Sequence, residues 1–255
     1  EHEVTKKLDL LRAEGKGESD EAKKLELLLK RAEALKESNP MLGFRGCRVG
    51  VLYPEIYEAQ VKAIAEAACE LVKQGIDVNV KIMVPLVATG QEMCMLRANI
   101  EKVVAETAGF FGMNLHCKIG TMIELPRAAI VADEIAEYAD FFSFGTNDLT
   151  QTTLGVSRDD AEGRFLAAYV QLGIFMDDPF RTIDRKGVGT LMKIAVEGGR
   201  GVKKDLELGI CGEHGGDPSS IAFCNSVGLD YVSCSSMRIP VARLSAAHAS
   251  LGLLN

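Results

Sequence analysis

The sequence contains no run of 18 uncharged apolar residues, so no membrane-spanning helix is predicted. Its N-terminus does not have the pattern of a secretory signal peptide. Lysine and arginine form no tract outside the first 40 residues, and the formal net charge is −7. Nucleic acid and anionic membranes are therefore not expected as main partners.

Cysteine occurs seven times, an odd number, without any C-x-x-C pair. Such a set predicts buried free thiols in a reducing compartment, and it argues against a disulfide framework or a zinc site. We accordingly expect a cytoplasmic protein, with a plastid or another organelle as the alternative.

What the sequence does contain is enough apolar material for one sizeable core, since 47% of the 255 residues are hydrophobic and 25% are charged. Residues 1–38 form a distinct segment, rich in Lys, Glu, Leu and Ala. Within it, Ser19–Lys36 predicts an amphipathic helix with Ser19 as its cap. We therefore divide the chain into a charged helical segment, 1–38, and a larger domain, 39–255.

From residue 39 onward, short apolar runs alternate with helical patterns. Five runs predict strands, namely Val78–Val84, His116–Ile123, Phe141–Phe144, Glu207–Cys211 and Tyr231–Cys234, while Arg48–Leu52 is a doubtful sixth. The expected helices are Glu55–Gln74, Gln91–Ala108, Arg127–Tyr138, Thr182–Val196, Ser219–Ser226 and Ile239–Leu251. Repeated β-α units predict an α/β fold with a parallel sheet that curls into a (β/α) barrel. Five strands are three fewer than a closed TIM-type barrel requires, so the alternatives are an incomplete barrel and an open doubly wound sheet.

Two of the predicted strands end in carboxylates. Glu124 follows one apolar run, and Asp148 lies 24 residues later, just beyond the next run, in Phe142–Thr150. The spacing leaves room for one crossover helix, so both carboxylates are expected at the same end of adjacent parallel strands, where α/β folds place their chemistry. Two hard oxygen ligands there predict a Mg²⁺ site that also binds an anionic oxygen substrate.

Several segments together resemble the phosphoenolpyruvate (PEP)-binding domain of the pyruvate, phosphate dikinase family. They are Asn39–Arg48, Gly120–Arg127, Phe142–Gln151, Ser157–Asp160, Ile210–Pro218 and Gly228–Ser235. PEP synthase and enzyme I of the sugar phosphotransferase system share some of these themes, but the run Cys-Gly-Glu-His-Gly-Gly-Asp-Pro at 211–218 is closer to the dikinases. The chain departs from the family at Phe44, where His is usual, and at Ser236, where Pro is usual.

The resemblance implies a (β/α) TIM-type barrel of which this chain holds about five C-terminal βα units after an N-terminal helical segment. Measured against the family, it lacks the ATP-binding domain, the swivelling phosphohistidine domain and the first barrel strands with their two substrate-binding arginines. The implied reaction interconverts pyruvate and PEP, with a phosphohistidine on another domain as phosphoryl donor. The chain alone is then expected to be inactive in the full reaction, and a homodimer is expected. Alternatives are a PEP synthase or enzyme I domain and a non-catalytic dimerisation or binding fragment.

The resemblance also assigns roles at the ends of the second and third predicted strands. Glu124 and Asp148 match the metal ligands for Mg²⁺, and Asn147 matches the residue that orients the substrate carboxylate or phosphate. Gly145 and Thr146 would add backbone N–H groups at a helix N-terminus, so Gly145, Thr146, Asn147 and Asp148 together form the implied substrate-binding set. Considered without the resemblance, the carboxylates could instead be helix caps, and Asn147 could cap the helix that begins near Leu149 as well as bind substrate.

Four further residues have implied roles elsewhere in the sequence. Arg45 matches the arginine that contacts the transferring phosphoryl group, although Arg48 and Arg127 are rival candidates. Cys211 matches the general acid that protonates C3 of enolpyruvate, although a cysteine that ends a strand can also be plain core filler. Glu213 and His214 are expected to orient the loop that follows Cys211.

Overall fold

The computed structural model describes residues 2–254, so the outermost limits of the two predicted segments, residues 1 and 255, lie outside it. The chain divides into two compact units, Glu1–Arg45 and Gly46–Asn255. The composition-based boundary after residue 38 remains a prediction. Along the described residues, no helix is both long enough and apolar enough to cross a membrane.

The first unit contains two helices, α1 (His2–Ala13) and α2 (Asp20–Ala34), which pack against each other. Ser19 caps α2 as predicted, because its side-chain oxygen accepts a hydrogen bond of 3.2 Å from the Ala22 amide. A short 3₁₀ turn, Pro40–Leu42, closes the unit.

The second unit is built on a five-stranded parallel sheet with the strands in sequence order. The strands are β1 (Val80–Val84), β2 (Cys117–Ile123), β3 (Phe141–Gly145), β4 (Glu207–Cys211) and β5 (Tyr231–Val232). Sequential parallel order with helical crossovers is the topology of a (β/α) barrel, so the structure is consistent with a partial TIM-type barrel and confirms the predicted α/β fold. Among the described strands, β1 and β5 are each paired on one side only.

Among the described residues, eleven α-helices accompany the sheet. They are α3 (Cys47–Leu52), α4 (Pro54–Lys73), α5 (Gly90–Phe110), α6 (Pro126–Ile130), α7 (Ala132–Ala136), α8 (Thr146–Leu154), α9 (Arg158–Glu162), α10 (Leu166–Gln171), α11 (Val188–Val202), α12 (Pro218–Ser226) and α13 (Ile239–Ser250). The core lies between sheet and helices, where β3 contributes the fully buried Phe142 and Phe144. All five residues of β3 are buried, so both faces of this central strand are covered, which explains its continuous apolar run.

Two predictions of secondary structure were wrong, one before β1 and one after β2. Arg48–Leu52 is not a strand, because Gly46 adopts φ +61° and the chain then turns into α3. The single helix expected over Arg127–Tyr138 is two short helices, α6 and α7, separated at Val131, whose φ −106° and ψ 32° are not helical.

The helix expected over Thr182–Val196 is shifted, since α11 covers Val188–Val202. The Asp184 carboxylate accepts hydrogen bonds from the Lys186 and Gly187 amides at 3.1 and 3.0 Å, which holds a turn where the helix was expected to begin. Gly199 then lets the helix continue close to the sheet, because a Cβ at this position would lie 2.9 Å from the Phe142 ring.

Candidate active site

The carboxyl ends of β2, β3 and β4 carry the polar residues of the site. Glu124 directly follows β2, Asp148 is in the first turn of α8 directly after β3, and Cys211 is the last residue of β4. These three strands are neighbours, and Gly145 at the end of β3 is in register with Cys211. The structure therefore brings Glu124, Asp148 and Cys211 to one edge of the sheet, as the strand pattern predicted.

Glu124 is buried, with 3% of its surface exposed. Its Oε1 atom accepts a hydrogen bond of 2.6 Å from the amide of Leu86, in the loop after β1. Its Oε2 atom lies against Gly145, where an added Cβ would be only 2.5 Å away. The cap of the following helix α6 is Leu125 and involves no side-chain bond, so Glu124 does not act as a helix cap.

Cys211 is half-buried, and its Sγ atom lies 3.6 Å from the carbonyl oxygen of Phe144. Burial is the largest cause that raises the pKa of the thiol; the interaction with Ser143 opposes it, and the negative charges of Glu124 and Asp148 raise the pKa by smaller amounts. The thiol is therefore protonated at neutral pH, the form that a proton donor needs.

His214 and Thr146 join the ends of β3 and β4, and both are completely buried. The Nδ1 atom of His214 lies 2.7 Å from the Thr146 Oγ1 atom, and Nε2 lies 2.9 Å from the Pro179 carbonyl oxygen. Burial lowers the pKa of His214, so the ring is neutral. A carbonyl can only accept, so Nε2 carries the proton and Nδ1 accepts from the Thr146 hydroxyl. The Cys211 carbonyl oxygen, 3.2 Å from Thr146 Oγ1, is a second acceptor within reach of the same single hydroxyl proton.

Asn147 has a buried side-chain oxygen, Oδ1, without a hydrogen-bond partner. It faces Gly212, whose φ is +102° and where an added Cβ would lie 3.1 Å from Oδ1. Because α8 has no side-chain cap, Asn147 is not used as a cap either. An unpaired buried amide is costly unless something else binds it, and a substrate in the site could do so.

The structure also shows contacts for Arg45 and Glu213, the remaining predicted residues, and for Arg127. Arg45 belongs to the first unit, where its Nε atom donates to the Met41 carbonyl oxygen at 2.8 Å. Glu213 is exposed and forms a loose ion pair of 3.8 Å with Arg238. Arg127, a rival of Arg45, donates from Nη1 to the carbonyl oxygen of Ala88. The roles expected for Arg45 and Glu213 remain predictions.

Sequence reasoning missed three residues beside the site. Ser143 is close enough to Cys211 and Tyr231 to oppose the rise in the pKa of each group. The Tyr231 ring lies directly over Gly209, where an added Cβ would be 2.0 Å from Cζ. The third is Leu86, the donor to Glu124. Ser143 and Gly209 could have been noticed as small residues at the middle of apolar strands, but Leu86 has no such signal.

Glu124 and Asp148 are the residues that could hold a divalent cation. Among the described residues there is no group of three or more His, Cys, Asp or Glu side chains arranged for a metal. Two carboxylates are nevertheless compatible with Mg²⁺, which binds through one or two protein carboxylates and completes its shell with water and substrate oxygens. A deeply buried carboxylate such as Glu124 fits such an ion, because its negative charge requires compensation away from water.

A sequential parallel sheet with polar residues at its carboxyl end characterises a domain of the TIM-barrel enzyme class. The chain matches the family described as "PEP-utilising enzyme, PEP-binding domain" over residues 7–251. The match covers nearly the whole chain, so the chain belongs to this family, and the resemblance inferred from the sequence is confirmed.

Similar proteins with curated names are pyruvate, phosphate dikinases. The chain is 58% identical to the chloroplastic enzyme of Flaveria bidentis over 215 residues, which are 84% of this chain and 22% of that protein. It is 59% identical to the enzyme of Rhizobium meliloti (strain 1021) over 225 residues, or 88% and 25% of the two chains. It is 57% identical to pyruvate, phosphate dikinase 2 of Zea mays over 219 residues, or 86% and 25%. These names support the dikinase resemblance over PEP synthase or enzyme I, and the chain spans a quarter or less of these relatives.

Proposed function

We propose that the carboxyl end of this sheet carries out the pyruvate half-reaction of a pyruvate, phosphate dikinase. The observation that supports this most strongly is the convergence of Glu124, Asp148 and Cys211 from three neighbouring strands. The two carboxylates are close enough to the thiol to raise its pKa. A metal-type carboxylate pair beside a protonated thiol suits a reaction that develops negative charge on oxygen and then protonates carbon.

Glu124 and Asp148 would hold the Mg²⁺ ion. When bound, the ion would neutralise charge that develops on the enolate and phosphate oxygens. The Leu86 amide donates to Glu124 Oε1, and the second carboxylate oxygen, Oε2, lies beside Gly145. Asn147 would supply amide contacts to the substrate carboxylate or phosphate, together with backbone N–H groups of Gly145 and Thr146 at the start of α8.

Cys211 would donate the proton in the direction of pyruvate formation. The phosphoryl group leaves the enol oxygen of PEP as its P–O bond breaks and a P–N bond forms on the histidine of another domain. The enolate electron pair at C3 then takes the thiol proton, which completes the methyl group of pyruvate, and water later reprotonates the thiolate. Arg45 would contact the phosphoryl group, and Glu213 and His214 would keep the loop after Cys211 in place.

The partners proposed for this chain follow from its family. They are PEP and pyruvate as substrates, the swivelling phosphohistidine domain and the ATP-binding domain of a complete dikinase, and a second copy in a homodimer. The proposed activity as a phosphotransferase with paired acceptors belongs to the whole enzyme. The cytoplasm or a plastid as location is compatible with the bacterial and chloroplastic names of the relatives.

Isothermal titration of PEP into the 255-residue chain, with and without Mg²⁺, tests the proposal. We expect binding heat that depends on Mg²⁺ and that disappears in Glu124→Ala and Asp148→Ala, while circular dichroism shows an intact fold. Glu197→Ala, on the exposed side of α11, is the matched control and should bind as the unmodified chain does. Absence of metal-dependent heat in the unmodified chain would favour a non-catalytic binding module.

A further inference from the structure

Leu86 adopts an unusual backbone conformation in the loop between β1 and α5. Its φ is +60°, and among the described residues it is the one non-glycine residue with a positive φ. A left-handed conformation is unfavourable for a residue with a Cβ atom, and such outliers cluster at functional sites where the surroundings hold them in place. The relevant questions are what holds Leu86 and what its peptide groups bind.

Cys47, the first residue of α3, holds both peptide groups that flank the Leu86 Cα atom. Its amide donates to the Pro85 carbonyl oxygen at 3.0 Å, and its thiol donates to the Leu86 carbonyl oxygen at 3.1 Å. Gly46 lies close to the Leu86 side chain: a Cβ atom added at position 46 would be only 3.0 Å from the Leu86 Cβ atom. Burial, together with nearby Glu92 and Glu124, raises the pKa of Cys47 to about 12, so the thiol keeps its proton and remains a donor.

The peptide group between Pro85 and Leu86 is thereby bonded at both ends. Its carbonyl oxygen accepts from Cys47, and its N–H donates to Glu124 Oε1 at 2.6 Å. Rotation of this peptide about the chain axis would move the N–H away from the carboxylate. The left-handed conformation of Leu86 is therefore coupled to the orientation of Glu124, the carboxylate with 3% exposure at the end of β2.

We propose that Cys47 and Leu86 are positioning residues, which fix the Glu124 carboxylate in the orientation that binds the divalent cation. This inference rests on the metal site of the proposed function. Cys47 acts through the Leu86 peptide and touches neither the ion nor the substrate. Supporting hydrogen bonds of this kind orient metal ligands and contribute about 10–100-fold to metal affinity.

The test uses Mn²⁺ as the probe and the complete 255-residue chain. Mn²⁺ affinity is measured by titration calorimetry or by the paramagnetic signal of the free ion, and exchange of the Leu86 amide hydrogen is followed by NMR without metal. Cys47→Ala should weaken Mn²⁺ binding about tenfold, the lower end of that range, and should accelerate Leu86 exchange. Cys47→Ser, whose hydroxyl can still donate, should restore both.

Cys69→Ala is the matched control, because Cys69 is equally buried, at 0% exposure, but lies on α4. This substitution also removes a buried thiol, and it should leave both the Mn²⁺ affinity and the exchange rate of the Leu86 amide hydrogen unchanged. If Cys47→Ala does not fold, Cys47→Val fills the space without a donor and takes its place. Equal Mn²⁺ affinity in the position-47 and position-69 variants would overturn the inference, as would unchanged Leu86 exchange. Failure of the unmodified chain to bind Mn²⁺ is a distinct result, because it overturns the proposed metal site itself and this inference with it.

Discussion

The Nδ1 atom of His214 lies 2.7 Å from the Oγ1 atom of Thr146, and this contact ties the loop after β4 to the start of α8. The second ring nitrogen binds the Pro179 carbonyl, so three separate segments depend on one neutral, fully buried ring. His214 is thus completely buried and not exposed for phosphoryl transfer, and its role in orienting the loop remains a prediction.

Replacing His214 by Ala should destabilise the fold by about 1–3 kcal/mol for the polar groups left unpaired, with an added contribution from the cavity. The measurement is urea unfolding at pH 7.5. His116→Ala provides the control, because His116 is exposed and its loss should change stability little. An equal effect of the two substitutions would contradict the structural role of His214.

The stability of the unmodified chain should also depend on pH through His214. Burial lowers its folded pKa below the ordinary value of 6.5, so below 6.5 the unfolded state binds more protons than the folded state. Stability from this group is complete above pH 6.5 and falls as the pH drops from there towards the folded pKa. His214→Ala should remove this part of the pH dependence, and unfolding midpoints between pH 7.5 and 5 would detect it.

Gly145→Ala should displace the Glu124 carboxylate, because the new methyl group would be 2.5 Å from Oε2. We expect Mg²⁺ or Mn²⁺ affinity to fall by about 10–100-fold, the range seen when a ligand loses its orientation. Gly109→Ala is the control. Position 109 lies in α5 with nothing within 4 Å of the added Cβ, and alanine there should stabilise the helix by about 0.5–1 kcal/mol. Unchanged metal affinity in Gly145→Ala would argue against Glu124 as a ligand.

Cys211→Ala should remove proton transfer to carbon without preventing binding of pyruvate. In a complete enzyme that carries this domain, exchange of the pyruvate methyl protons with solvent should slow by about 10²–10⁴-fold, the usual contribution of a general acid or base. Cys211→Ser should be nearly as slow, since a hydroxyl is a much weaker acid than a thiol. Deuterium exchange followed by NMR measures the rate, and unchanged exchange would show that another group is the donor.

The isolated chain should lack dikinase turnover and should either self-associate or have its sheet edge covered by the Ser19–Lys36 segment. Strands β1 and β5 each have one side without a partner among the described strands, and unpaired strand edges promote association. Sedimentation velocity over a range of concentrations would reveal oligomers, and removal of residues 1–38 would distinguish the two cases. A single monomeric species with full dikinase activity would contradict this expectation.

The sequence was sufficient to predict which elements meet at the site. The abrupt change from apolar to polar residues after Ile123 and Phe144 marks the carboxyl ends of two buried strands, and parallel pairing then places Glu124 and Asp148 at the same edge. It was insufficient where tertiary contacts decide the backbone. The hydrogen bonds of Asp184 delay α11, and nothing in the residue type of Leu86 indicates a positive φ that distant Cys47 and Glu124 stabilise.

The contact between Glu124 and Gly145 has a consequence for how this site can vary. An ideal Cβ at position 145 would be 2.8 Å from the Glu124 Cβ atom as well as 2.5 Å from Oε2, so the two positions compete for the same volume. The effects of substitutions at these two positions on stability should therefore be non-additive, because a smaller side chain at 124 makes room for a methyl group at 145. Such a pair would regain its packing but would lose the carboxylate proposed to bind the metal ion.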